Sequence, residues 1–377
     1  MTTIAASSPT RQPNRWGRFL PIFIGIFFLA LAVAVLPSSL LQSSIRLATP
    51  YTLGALASLV ASRAGVLNLA IEGKMVLGSF VAVAILYRTG LDSSAGVLAA
   101  TLAGGLLGAV FSLLYLKLRI NLVILALAVN LFIENITVFF MRVSFGSFGT
   151  LADPSIRGLS GINLPLIADI PVIGPLLSGY NIIVYISWLM VIVVAIILYR
   201  TQFGRHIRAV GENIGAAESV GINVTRVQVF ALTLSGMLAG IAGAFLSIGV
   251  LSQYVEGMVD GRGWTAIVVA LFAFERPIPA FLTALFFGFS EASSFYLQSR
   301  PELSLPPDLF LALPQIVTLG ALIAVALRIR GNEILQRRRF VSQFGQELGR
   351  LRSGIIIGER QPPPKAIEAD ADESEQK

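Results

Sequence analysis

A few polar side chains interrupt an otherwise apolar chain: Glu72 and Lys74, Asn130 with Glu134 and Asn135, Glu275 with Arg276, and Glu291. Charge inside a bilayer is costly and marks a functional position by default. Asn130 and Glu134 stand one helical turn apart and share a face. Together they can hydrogen-bond a hydroxylated solute, and an interhelical clasp is the plainer use of the same pair. Glu72 and Lys74 fall in AGVLNLAIEGKM, where Gly65 and Gly73 flank a polar-tinged stretch beside a span. That pattern suits an unwound helix whose freed backbone groups line a cavity, or a salt-bridged turn that only ends two helices. Asn68, Glu72, Asn130 and Glu134 are therefore the candidate lining of a polar path. Glu291 is a weaker instance, and Glu275-Arg276-Pro277 reads as a tight turn between two short helices. There is no cysteine and a single histidine, His206, set between Arg205 and Arg208 in a basic loop. Disulfides, thiolate chemistry and Cys/His zinc sites are excluded. No catalytic residue and no metal ligand is assigned.

These residues must be held by membrane helices. Of 377 residues, 55% are apolar and 13% charged, about half the charge of a soluble domain. Since about 20 apolar residues cross the hydrocarbon core, the uncharged runs give ten segments: 19–36, 46–62, 67–87, 95–116, 120–140, 182–199, 227–249, 260–274, 278–298 and 308–328. The fold expected is all-α and polytopic, with a cytoplasmic arm at 1–18, a transmembrane domain at 19–328 and a cytoplasmic tail at 329–377. Arg11, Arg15 and Arg18 place the N-terminus inside by the positive-inside rule. Alternation then puts both termini and the 200–226 loop inside, and leaves only Arg46, Arg88, Arg142, Arg157, Arg262 and Arg300 outside. The +7 charge is this bias, and nucleic-acid binding is not indicated by it.

Residues 49–84 and 233–270 resemble each other: a small-residue helix, an EG-containing polar stretch, then an apolar run. They begin on opposite sides, the arrangement of an inverted repeat (spans 2–5 and 7–10) with broken helices around a central site. Gly104-x-x-x-Gly108 and Gly236-x-x-x-Gly240 supply small faces on which helices approach closely, read as packing within one bundle. The 142–181 loop, rich in Gly and Pro, is a lid, a docking surface or a plain connector. In the tail, 332–351 reads as a basic amphipathic helix on anionic headgroups, and 367–377 as an acidic disordered end. Within 200–226, Asn213 can cap a short helix that Gly221 stops. Such a small-faced helix at the inner surface suits insertion into a partner's groove.

Four motifs in order, SRAGVLNLAIEGKMVLGS, TQFGRHIRAVGENIGAAESVGIN, LSGMLAGIAGAFLSIG and VEGMVDGRGWTAI, resemble the permease subunits of bacterial ABC importers in the ribose-type, simple-sugar and nucleoside branch. They look most like the second permease of nucleoside importers. The resemblance covers about 49–328. It implies a ten-helix permease in the bacterial cytoplasmic membrane that binds no cofactor itself, partnered by an ABC ATPase subunit that uses ATP and Mg. It also implies a second homologous permease, as heterodimer or homodimer, and an extracytoplasmic substrate-binding lipoprotein. Carried onto this chain, the coupling helix is 213–221, with Asn213, Ala216, Ala217, Glu218 and Gly221. Gly215 replaces the glutamate that opens this loop in other branches, and Asn213-Ile214 replaces the branch's Asn-Pro.

No glycine-rich loop ends in Gly-Lys-Ser/Thr, so the chain cannot hydrolyse ATP alone and is not expected to be an enzyme. The function expected is the translocation path for a nucleoside or simple sugar. The alternative is an ion-coupled secondary transporter of a small polar solute, with Glu134 as its midplane carboxylate; it would need no docking helix.

Overall fold

The structure is a computed structural model and describes residues 37–299, apart from 155, 164 and 166–173, and single positions between 312 and 323. The chain divides into two units, 1–318 and 319–377, and every element below belongs to the first. The expected spans 19–36 and 308–328, the N-terminal arm and the tail helix lie outside the described residues.

Helix α1 (Ser38–Arg63) carries Pro50 in its interior and is buried on nearly all sides from Ala48 to Ala61. A proline there removes one backbone bond, which protein-buried membrane helices tolerate. After α1 the chain is non-helical over residues 64–70 and re-enters helix as α2 (Ile71–Thr89), capped at its end by left-handed Gly90. Then come α3 (Ser93–Leu118) and α4 (Leu122–Phe145), whose N-terminal amides at Val123 and Ile124 donate to the Asn121 side chain. The loop that follows holds β1 (Thr150–Leu151), β2 (Gly161–Ile162), the single turn α5 (Gly174–Leu177) and β3 (Tyr180–Asn181). Next are α6 (Ile182–Arg200), α7 (Gln202–Glu212), α8 (Ile214–Ser219) and α9 (Val224–Ala244). Helix α9 continues as a π-helical segment, Phe245–Leu251, to left-handed Ser252. Strand β4 (Tyr254–Val255), α10 (Arg262–Phe272) and α11 (Pro277–Gln298) complete the order. Strand β1 pairs antiparallel with β4, and β2 with β3. The 142–181 loop is thus fastened to the end of α9 at one point and closed on itself at another.

Among the described residues, five helices are long and apolar enough to cross a membrane: α3, α4, α6, α9 with its π segment, and α11. Expected span 260–274 instead gives α10, 11 residues long and therefore about 16 Å, half of a ~30 Å hydrocarbon core. The stripe Leu98, Leu102, Leu106 and Leu113 on α3 is exposed, as a lipid-facing surface requires.

Helices α1 and α9 form the centre, α1 against α11, α10 and α6, and α9 against α3 and α2. Small residues set those distances. A methyl group added at Gly104 would strike the Gly236 carbonyl and Gly240, and one at Gly108 the Leu232 carbonyl. The two GxxxG faces therefore lie on each other within one chain. Gly236→Leu is expected to cost at least the about 1–3 kcal/mol of an overpacked core. Thermal unfolding in detergent reads this, with Leu102→Ala on the exposed stripe as a variant that leaves the midpoint unchanged.

Candidate functional site

The break after α1 exposes backbone groups that no helix satisfies, and amide side chains from distant helices take them up. Asn130 on α4 accepts from the Gly73 amide (2.9 Å) and donates to the Leu69 carbonyl (3.0 Å). Asn68 is fully buried, accepts from the Ala70 amide (3.1 Å) and donates to the Ser235 hydroxyl (2.8 Å). Gln228 donates to the Ala64 carbonyl at 3.2 Å. Both amide groups of Asn68 and Asn130 are engaged, so these two residues hold the break.

The unwound stretch ends at Ala70, and Glu72 and Lys74 belong to the first turn of α2. The Glu72 carboxylate spans the start of α10, Oε1 accepting from the Gly261 amide and Oε2 from the Gly263 amide, each at 2.8 Å. Carboxylate on free amides at a helix N-terminus is a favourable charge-assisted arrangement. Gly261 is left-handed (φ 74°), and a side chain at Gly263 would strike Glu72. Two short helices thus begin at breaks, and the first turn of one caps the first turn of the other.

A second clamp holds α10 from its other side. Arg262 Nη2 donates to Glu291 Oε1 on α11 (2.6 Å), and the Tyr51 hydroxyl on α1 donates to Glu291 Oε2 (2.8 Å). The side chains of Arg262 and Glu291 are 18% and 8% exposed. Arg262, counted among the residues of the outer side, is paired with the Glu291 carboxylate of α11. Burial without a partner would be too costly for either charge. Nothing in the local pattern of VEGMVDGRGW distinguishes it from a loop arginine. The available signal was the lone Glu291, which demanded a cation.

Lys74 is fully buried, has no hydrogen-bond partner for its ammonium group, and lies 4.7 Å from the centre of the Phe111 ring, a cation–π contact. Glu134 is exposed on α4 beside Asn135, with Leu127, Leu131 and Phe132 exposed around them. It lies one turn beyond Asn130, which bonds the Gly73 amide beside Glu72. The Tyr254 hydroxyl donates to Thr137 Oγ1 (3.3 Å), one turn further along α4. Of the four candidate path residues, Glu134 alone is unengaged and open, and it stands beside the Glu72 junction.

The α7–α8 loop lies at the Arg63 end of α1. Gly211 abuts the Arg63 carbonyl and Gly65 so closely that a side chain there would collide. Arg63 donates to the Glu275 and Phe274 carbonyls (2.9 and 3.0 Å), and Ser62 donates to the Glu275 carboxylate. This stitches the α10–α11 turn to the same place. The Asn213 side chain accepts from the Ala216 amide (3.0 Å), and left-handed Gly221 ends the turn after α8. Ala217 is buried, whereas Ala216, Glu218, Ile214 and Val220 are exposed.

Multiple apolar spans around a junction of broken helices, with charge inside the spans, define a polytopic membrane protein. The chain belongs to the family described as the permease component of the branched-chain amino acid transport system, whose sequence profile matches residues 40–325. It is a permease subunit and not an enzyme. Among its relatives is the guanosine ABC transporter permease NupQ of Bacillus subtilis, 28% identical over 76% of this chain and 91% of NupQ. TsgC13 of Haloferax volcanii, named as a permease of a glucose ABC transporter, is 34% identical over 73% of this chain and 82% of its own. The nucleoside ABC transporter permease NupC of Lactococcus lactis is 29% identical over 72% and 87%.

Proposed function

We propose that this chain forms the translocation path for a nucleoside or simple sugar in an ATP-driven importer, with both termini on the cytoplasmic side. The observation that carries the reading is the permease family match over residues 40–325, and Glu134, an exposed carboxylate in mid-span one turn from Asn130, bears on how the chain is assembled. Lipid does not tolerate such a group, so the α4 face borders water or a second subunit. A wet interface with a homologous permease, as heterodimer or homodimer, meets both demands. Names of the relatives favour nucleosides and sugars, and hydrogen-bonding groups suit hydroxylated, uncharged solutes.

In this reading α8 is the coupling helix. Ile214, Ala216 and Val220 dock on an ATPase subunit, which binds ATP and Mg, and a substrate-binding lipoprotein delivers the solute from outside. Motion of α8 passes through α7 and the Gly211–Gly65 contact to the break, and from there to α2, Glu72 and α10. The two broken-helix halves then rock as an inverted repeat. Asn68 and Asn130 anchor the first break during this motion, and Glu72 and Glu134 face the path. Asn213→Ala removes the cap of α8, at about 1 kcal/mol. Substrate-stimulated ATP hydrolysis by the assembled complex is expected to fall several-fold, with substrate binding to the lipoprotein unchanged.

The reading as a whole is tested by purifying the tagged chain from native membranes in mild detergent and identifying what accompanies it. Recovery of an ATPase, a second permease and a lipoprotein that binds nucleosides or sugars is expected. A chain that emerges alone and drives uptake into liposomes from a proton or sodium gradient overturns the importer reading.

A further inference from the structure

The end of α1 remote from Arg63 borders two adjoining cavities that the transport reading leaves unused. The first, about 410 Å³, is lined by polar groups including Ser39, Gln42, Ser43, Arg46 and Tyr180. The second, about 320 Å³, shares Ser39, Ser43 and Arg46 and is otherwise mainly apolar, with Leu40, Leu47, Val250, Ala292 and Phe295. Arg46 lines both.

Ser39, Gln42, Ser43 and Arg46 follow at i, i+3, i+4 and i+7, so they form one face of α1. Among the described residues, Arg46 makes no hydrogen bond or ion pair and no carboxylate lines either cavity. Tyr180 is 5% exposed, and its buried hydroxyl has no partner. An uncompensated guanidinium with two serine hydroxyls, a carboxamide and an unused phenol is a donor set for an oxyanion. The planar fork of arginine matches phosphate in particular. A free phosphate would leave the second compartment unfilled. A ligand that satisfies both carries its phosphate on hydrocarbon.

Position along the helix agrees. Arg46 precedes Arg63 by 17 residues on one continuous helix, about 26 Å of rise, close to the ~30 Å thickness of a hydrocarbon core. With Arg63 at the α7–α8 loop, Arg46 stands at headgroup level in the opposite leaflet. We propose that these cavities bind one anionic glycerophospholipid, its phosphate held by Arg46, Ser39, Ser43 and Tyr180, with an acyl chain in the apolar compartment. The bound lipid ties the outer end of α1 to α9 and α11.

The experiment is native mass spectrometry and thermal unfolding of the delipidated full chain, titrated with dioleoyl-phosphatidylglycerol, dioleoyl-phosphatidylcholine or inorganic phosphate. One phosphatidylglycerol is expected to be retained at least tenfold more tightly than phosphatidylcholine and to raise the unfolding midpoint. Arg46→Gln should lose that preference, and Arg46→Lys, a point charge without the planar fork, should keep only part of it. Val250→Trp, which fills the apolar compartment and leaves the donors in place, should also lose retention, and it reads the site independently if Arg46→Gln does not fold. Equal retention of the two lipids, or unchanged retention in both Arg46→Gln and Val250→Trp, overturns the proposal. Displacement of phosphatidylglycerol by inorganic phosphate at equal concentration also overturns it, assigning the cavity to a free anion.

Discussion

Glu72→Ala is expected to lower solute uptake about a hundredfold while the chain still reaches the membrane and still co-purifies with its partners. The carboxylate is the acceptor for two amides at the start of α10, Gly261 and Gly263. Deleting it strands both, at about 1–3 kcal/mol each. Water entering from the Glu134 side offsets part of that cost. About 3 kcal/mol remains, which is about two decades in a population of the transport-competent state. The loss is local because Arg262, Glu291 and Tyr51 still hold the same turn from the opposite side. Glu72→Gln keeps one acceptor oxygen but sets an NH₂ group against the other amide, so its uptake should fall between wild type and Glu72→Ala. Loss of folded protein or of the assembly in Glu72→Ala would make Glu72 a strut and remove it from the path.

Five of the spans and the break after α1 are legible in the sequence because hydropathy and glycine placement are local. The non-helical stretch 64–70 contains left-handed Gly65, with Gly73 just beyond it, and α8 lies between Asn213 and Gly221, whose cap and left-handed turn need only neighbouring residues. The role of each polar side chain is legible only in part. Asn130 and Glu134 share a face of α4, as their spacing requires, yet one is consumed by the break and the other stays open. That split depends on α2 lying beside α4, a fact that no four-residue spacing contains. The two GxxxG faces announce close packing, and which helix each meets is again tertiary. The π-helical end of α9 leaves no mark in LSGMLAGIAGAFLSIG, where helical periodicity runs through without interruption. Positive-inside counting puts Arg262 outside and says nothing of its partner, because it counts charges near span ends without their contacts. The pairing with Glu291 becomes visible only when α10 is seen to begin inside the bundle.

That pairing sets up the second large effect. Arg262→Met leaves the Glu291 carboxylate buried with the Tyr51 hydroxyl as its remaining partner. Breaking a buried pair from one side costs about 3–5 kcal/mol, enough to remove most folded protein from a marginally stable chain. Glu291→Leu should be as damaging, since it strands a buried guanidinium. The double variant Arg262→Met/Glu291→Leu removes both charges together and should recover much of the loss, because apolar replacement of a whole buried pair is often near neutral. A double-mutant cycle on unfolding midpoints in detergent is expected to give a coupling above about 2 kcal/mol, and additive single effects would mean that the two charges do not support each other. Transport by the double variant then separates the two clamps on α10. With the Glu72 bridge intact, the helix start is still capped and uptake should persist at a level within about tenfold of wild type. The ion pair would then serve the fold and Glu72 the cycle. Uptake as low as in Glu72→Ala would instead show that α10 must be gripped from both sides for the junction to move.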